Sequence, residues 1–120
     1  MANTFKVVTF AAEPASAGTP YVMYTVATST TTVVLGLVLS NINTTAVTAE
    51  VELVSTTSSR GGANNVANGT SFLIKDVNIP TGSSLEILSG GKVVLEAGDK
   101  IQVDCSVADK LSGTLSIMEI

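Results

Sequence analysis

The sequence predicts an all-β protein: a single antiparallel β-sandwich of jelly-roll or immunoglobulin-like strand order, with about eight strands and an extended N-terminal arm. Three observations carry the prediction. Short apolar segments are separated by clusters of Thr, Ser, Asn and Gly, the punctuation of sandwiches and barrels. Several segments alternate apolar and polar residues with the period of two that a half-buried strand requires. No segment repeats its apolar residues at the 3.6-residue period of a helix.

Residues 5–10 read as a short strand, and residues 11–20 as a linker of small residues bracketed by Pro14 and Pro20. Each proline removes a backbone donor and pushes the residue before it toward extended geometry, so Glu13-Pro14 and Thr19-Pro20 resist both helix and central strand. Residues 1–20 are therefore expected as an arm, and residues 21–120 as the sandwich domain. Within that domain, strands are expected near residues 22–26, 32–40, 46–55, 71–79, 83–88, 92–96, 100–106 and 113–119.

Alternation assigns the faces. Ile101, Val103, Cys105 and Val107 share one side of their strand, while Gln102, Asp104 and Ser106 share the other. Val47, Ala49, Val51 and Leu53 point inward by the same logic, with Thr48, Glu50 and Glu52 outward. The segment 32–40 lacks a polar side: Val33, Leu35, Leu37 and Leu39 fall on one face, and Val34, Gly36 and Val38 on the other. Both faces should be covered, either within the monomer as a central strand or, for Val34 and Val38, by a neighbouring subunit. Residues 55–70 form a long polar segment around Arg60, the kind of loop that is usually exposed and often functional.

Composition bounds the function. A chain of 120 residues accommodates one hydrophobic core. Hydrophobic residues make up 45% and charged residues only 13%, too few to solvate the whole surface, so association with further copies is expected. The net charge of −4 argues against phosphate-backbone binding, and nucleic acid is not an expected partner. The longest apolar run, residues 33–39, falls far short of a bilayer span, so no membrane insertion is expected. The N-terminus shows no basic segment followed by an apolar one, which points to folding in the cytoplasm.

The chain has no histidine, which removes the commonest general base and metal ligand. Cys105 is the single cysteine, and its place on the apolar side of an alternating strand makes it a small core residue rather than a nucleophile. The carboxylates are scattered, and neither Gly90-Gly91-Lys92 nor Gly98-Asp99-Lys100 has the spacing of a phosphate-binding loop. No catalytic residue, metal site or cofactor is expected, and no enzyme.

Two elements, Pro80-Thr81-Gly82-Ser83-Ser84-Leu85 and Leu95-Glu96-Ala97-Gly98-Asp99-Lys100-Ile101, stand in a run from Ile79 to Val103. Together with Tyr24-Thr25-Val26, Thr32-Val33-Val34-Leu35-Gly36-Leu37, Asn41 and Thr114-Leu115-Ser116-Ile117-Met118-Glu119-Ile120, this run resembles small virion structural proteins of tailed bacteriophages, including phages of cyanobacteria. The chain departs from that pattern at Ala27-Thr28-Ser29, where many relatives carry Pro-Ala-Gly. The resemblance implies a capsid decoration, or cement, protein on the outer surface of the virion. Such a protein forms a homo-oligomer, here expected as a trimer, and clamps neighbouring subunits of the major capsid protein. A tail, neck or fibre-attachment component is the alternative, and a host carbohydrate- or receptor-binding module is a third, with only Tyr21 and Tyr24 available to stack on a sugar. The residues expected at a protein interface are Phe5, Val7 and Phe10 from the arm, Val34 and Val38 from the apolar strand, and Arg60 from the loop.

Overall fold

The computed structural model describes residues 3–55, 69–88 and 91–120. These residues form nine strands and no helix: β1 Thr4–Glu13, β2 Tyr21–Thr25, β3 Thr32–Asn41, β4 Val47–Val54, β5 Thr70–Ile79, β6 Ser84–Ile87, β7 Val93–Leu95, β8 Lys100–Cys105 and β9 Leu111–Glu119. Each expected strand is present within a few residues, and β9 begins at Leu111 rather than Gly113 because Leu111 is itself a fully buried core residue.

The strands lie in two packed antiparallel sheets, ordered β1-β9-β3-β6 and β2-β8-β4-β5, with β7 also on β3. The pairing is nested: β4 with β5, β3 with β6 and β7, β2 with β8, and β1 with β9. A long hairpin rolled on itself has this pattern, and the rolling brings β9 beside β3 and β8 beside β4. Since β6 and β7 occupy successive parts of one column along β3, the sandwich has eight columns, four to a sheet. Of the two strand orders open from the sequence, this is the jelly-roll one.

The segment read as an arm belongs to the sandwich. Thr4 to Phe10 pair in continuous register with Glu119 to Gly113, making β1 the edge of the first sheet. The linker that follows is tied down as well: the Gly18 amide donates to Asp104 Oδ1 (3.1 Å) and the Asp109 amide to the Pro14 carbonyl (2.8 Å). Residue 20 thus marks a change in composition, not a division of the fold.

Between the sheets lie Leu37, Leu39, Ile79, Leu95, Ile101, Leu111, Leu115 and Ile117, all buried. Removing each such side chain from water is worth about 1.5–3 kcal/mol, which makes this aliphatic layer the main source of stability in a chain without disulfides. β4 and β8 keep the predicted faces: Val47, Ala49, Val51, Ile101, Val103 and Cys105 are buried, and Glu50, Glu52 and Gln102 face outward. Val107 departs from the expectation, because β8 ends at Cys105 and leaves Val107 exposed in the turn that follows.

β3 does not keep a single phase. Its register against β9 shifts between Val34 and Gly36, where Val34 opposes Ile117 but Gly36 opposes Ser116. Leu35 is the extra residue of a β-bulge, and the bulge exchanges the two faces along the strand. Thr32 and Val34 point inward before it, and Leu37, Leu39 and Asn41 point inward after it. Val33 is therefore on the outer face, not in the core with Leu37 and Leu39.

Polar groups close both ends of the sandwich. Asn41 is buried and fully used: its Nδ2 donates to the carbonyls of Ile79 (2.9 Å) and Thr45 (3.0 Å), and its Oδ1 accepts from the Asn43 amide (2.7 Å). At the turn before β8, Gly98 adopts φ +88°, a conformation costly for any residue with a Cβ. The turn exchanges two backbone hydrogen bonds with Val26, each 3.0 Å, which locks the β2–β3 connection to the β7–β8 turn.

Candidate interaction surface

The outer face of the first sheet follows from the strand phases and the registers. Phe5 opposes Met118, Met118 opposes Val33, and Val33 opposes Val94, so one row of four apolar side chains crosses the sheet from β1 to β7. Beside it lie Val7, Ser116 and Gly36, with the bulged Leu35. The next row is Thr9, Thr114, Val38 and Glu86, followed by Ser112, Ser40 and Ser84. One end of the face is thus aliphatic and the other is a field of hydroxyls. Phe5 is 70% exposed, Val7 63% and Val94 60%, whereas Met118, Val33, Leu35 and Val38 are half-buried among their neighbours.

Glu86 is the one charged side chain among the outward-facing strand residues described on this sheet, with Lys92 at its margin just before β7. The opposite sheet differs in character. Its outer face carries Glu50, Glu52, Lys75 and Gln102, joined by a Lys75–Glu50 ion pair of 3.0 Å and a hydrogen bond of 2.7 Å from Gln102 Nε2 to Glu52. Lys75 also sits 4.6 Å above the Phe72 ring. Exposed pairs of this kind contribute little stability, but they solvate the face well.

At the aliphatic end, the inward side of the same strands holds a polar group. Tyr24 Oη donates to Glu119 Oε2 (2.6 Å) and meets Thr32 Oγ1 at 2.8 Å, while Lys6 Nζ lies 2.7 Å from Glu119 Oε1. Burial, reinforced by the neighbouring carboxylate, pushes the Tyr24 hydroxyl up to about 12. The Lys6 ammonium, followed by the Tyr24 hydroxyl, holds Glu119 below the usual carboxylate range. Lys6 faces inward from the edge strand, and an inward charge on an edge discourages open-ended strand addition.

A recess of about 190 Å³ lies on the second sheet, lined by Gly18, Thr48, Glu50, Asp76, Asp104 and Ser106. Several of its polar groups are engaged: Asp104 Oδ1 accepts from the amides of Gly18 and Cys105, Ser106 Oγ from the Thr48 amide, and Glu50 pairs with Lys75. Among the described residues, no cluster of three or more His, Cys, Asp or Glu side chains is placed to hold a metal ion. Nor does any described helix have the length and apolarity to cross a membrane.

Of the expected interface residues, Phe5, Val7 and Val38 lie together on the outer face of the first sheet. Val34 does not: the bulge turns it into the core, where it is 0% exposed. Phe10 is buried too, packed on Gly113 and edge-on to Tyr21 at 5.3 Å between ring centroids. Neither side chain is presented to a neighbour. Arg60 lies outside the described residues. Val33, Leu35, Val94 and Met118 complete the patch, and strict alternation hid the first two by placing them in the core. In comparisons with protein-family models, curated proteins and solved structures, no match to this chain was found.

Proposed function

We propose that this chain is a structural subunit of a tailed-bacteriophage particle, acting as a capsid decoration protein that binds the assembled head and clamps neighbouring subunits of the major capsid protein. The observation that carries a packing role is the outer face of the first sheet, a broad aliphatic and hydroxyl surface with Glu86 as its outward charge. Exposed apolar surface rimmed by polar residues marks contact with another macromolecule. The sequence elements around Pro80-Thr81-Gly82-Ser83-Ser84-Leu85 and Leu95-Glu96-Ala97-Gly98-Asp99 supply the phage assignment. A sandwich in which Asp104 and Glu50 of the recess are engaged by amides and a lysine fits a role without chemistry.

Sedimentation with purified particles tests this. The chain should pellet with expanded empty heads at a saturating, fixed ratio to the major capsid protein and raise the temperature at which the heads disrupt. Recovery with tails after head removal would shift the role to the tail or neck. Binding to neither fraction would overturn the virion reading.

A further inference from the structure

We propose that two copies of this chain pair face to face through the first sheet, about a twofold axis that runs along the strand direction between β9 and β3. The inference rests on the packing role proposed above, adds the partner and its orientation, and puts a twofold dimer in place of the expected trimer because the face is self-complementary about a twofold axis.

The registers make this face self-complementary about that axis. Such an axis lies in the plane of contact and preserves position along the strands while reversing their lateral order, so β1 of one copy lies over the β6–β7 column of the other, and β9 over β3. The row Phe5, Met118, Val33, Val94 then covers itself in reverse: Phe5 lies over the second copy's Val94, and Met118 over its Val33. Aliphatic end meets aliphatic end, and the Ser and Thr rows meet as a hydrated rim, the anatomy of a specific interface. Gly36 sits in the middle of the face, and a Cβ built on it would meet nothing within 4 Å, which leaves a shallow seat for a side chain of the second copy.

Charge selects this pairing over the alternatives. Glu86 of each copy falls over Thr9 of the other, and the two Glu86 side chains stand at opposite edges, about 14 Å apart, beyond the Debye length of about 10 Å at 0.1 M salt. The same operation on the second sheet would instead lay Glu50 over the second copy's Asp104, two carboxylates in opposition, and Glu52 over its Gln102. First sheet against second would bury that sheet's charged pairs against hydrocarbon.

Size is sufficient. Four columns about 4.8 Å apart and about nine residues long cover about 600 Å² in projection, so a pair removes about 1,200 Å² from water, where stable specific interfaces begin.

The test is the mass of the purified full chain by sedimentation equilibrium. The wild type should be a dimer at micromolar concentration. Val94→Asp should raise the dimer dissociation constant by roughly 100-fold while the circular dichroism and melting of the fold persist, since Val94 is already 60% exposed. Val22→Asp, on the other sheet, should leave the dimer intact. The double variant Phe5→Cys, Val94→Cys should be joined into a covalent dimer by a short bifunctional maleimide, because the two positions face each other across packed sheets about 10 Å apart. Within one chain they are three strand spacings apart, about 14 Å, beyond the span of such a reagent. A monomeric wild type, dissociation by Val22→Asp but not Val94→Asp, or failure of the double variant to cross-link overturns the inference. Sedimentation with heads is read separately, so a monomer that still binds heads would refute the dimer and leave the decoration role standing.

Discussion

Val34→Asp should abolish folding, whereas Val38→Asp, four residues along the same strand, should fold. The sequence presents the two valines as equivalent, but the bulge at Leu35 separates them: Val34 is 0% exposed between the sheets, and Val38 stands on the outer face beside Thr114 and Glu86. Putting a carboxyl group at Val34 removes core packing and buries a polar group with no partner designed for it. The combined cost is on the order of 5 kcal/mol, comparable with the whole stability of a small domain, about 5–15 kcal/mol. At Val38 the carboxylate stays hydrated. Circular dichroism and thermal melting of the two variants check the difference, and a folded Val34→Asp beside an unfolded Val38→Asp would place the bulge wrongly.

The second large effect concerns the seat of the edge strand. A Cβ at Gly113 would come within 2.3 Å of Phe10 Cε2 and 2.6 Å of Cζ, far inside contact distance. Gly113→Ala must therefore displace the Phe10 ring from its place against Tyr21, with a loss of about 1–3 kcal/mol. Phe10→Ala should cost about 3 kcal/mol by itself, since the ring is buried although its strand lies at an edge. The two losses should not add: once the ring is gone, Gly113→Ala has nothing left to strike. Urea unfolding of both single variants and the double variant measures the coupling, and strict additivity would show that Phe10 does not occupy this seat.

What was legible in the sequence, and what was not, divides along the same physical line. β4 and β8 were readable because no bulge interrupts their pairing with each other, so period two alone fixes Ala49, Val51, Val103 and Cys105 inward and Glu50, Glu52 and Gln102 outward. β3 was readable as a strand but not in its phase. The bulge belongs to its pairing with β9, where Gly36 meets Ser116 eighty positions away, and nothing local in Val33-Val34-Leu35-Gly36 announces it. β1 likewise reads locally as a strand beside a proline-bracketed linker. Its membership in the sheet depends on contacts such as the Ser112 hydroxyl on the Phe10 carbonyl, across 102 positions. The scarcity of charge predicted apolar side chains left on the surface, and Phe5, Val7 and Val94 are exposed on the first sheet. Which face that was could be assigned only once the phase of β3 joined Phe5, Met118, Val33 and Val94 into one row.

The most direct measurement is the location and orientation of this sandwich in a reconstruction of the particle. The predicted result is density for the jelly roll on the outer surface of the head, with the Phe5–Met118–Val33–Val94 row buried against a second copy. A sandwich whose first sheet stands bare to solvent while the charged sheet makes the contacts, or particles that lack the chain altogether, would contradict it.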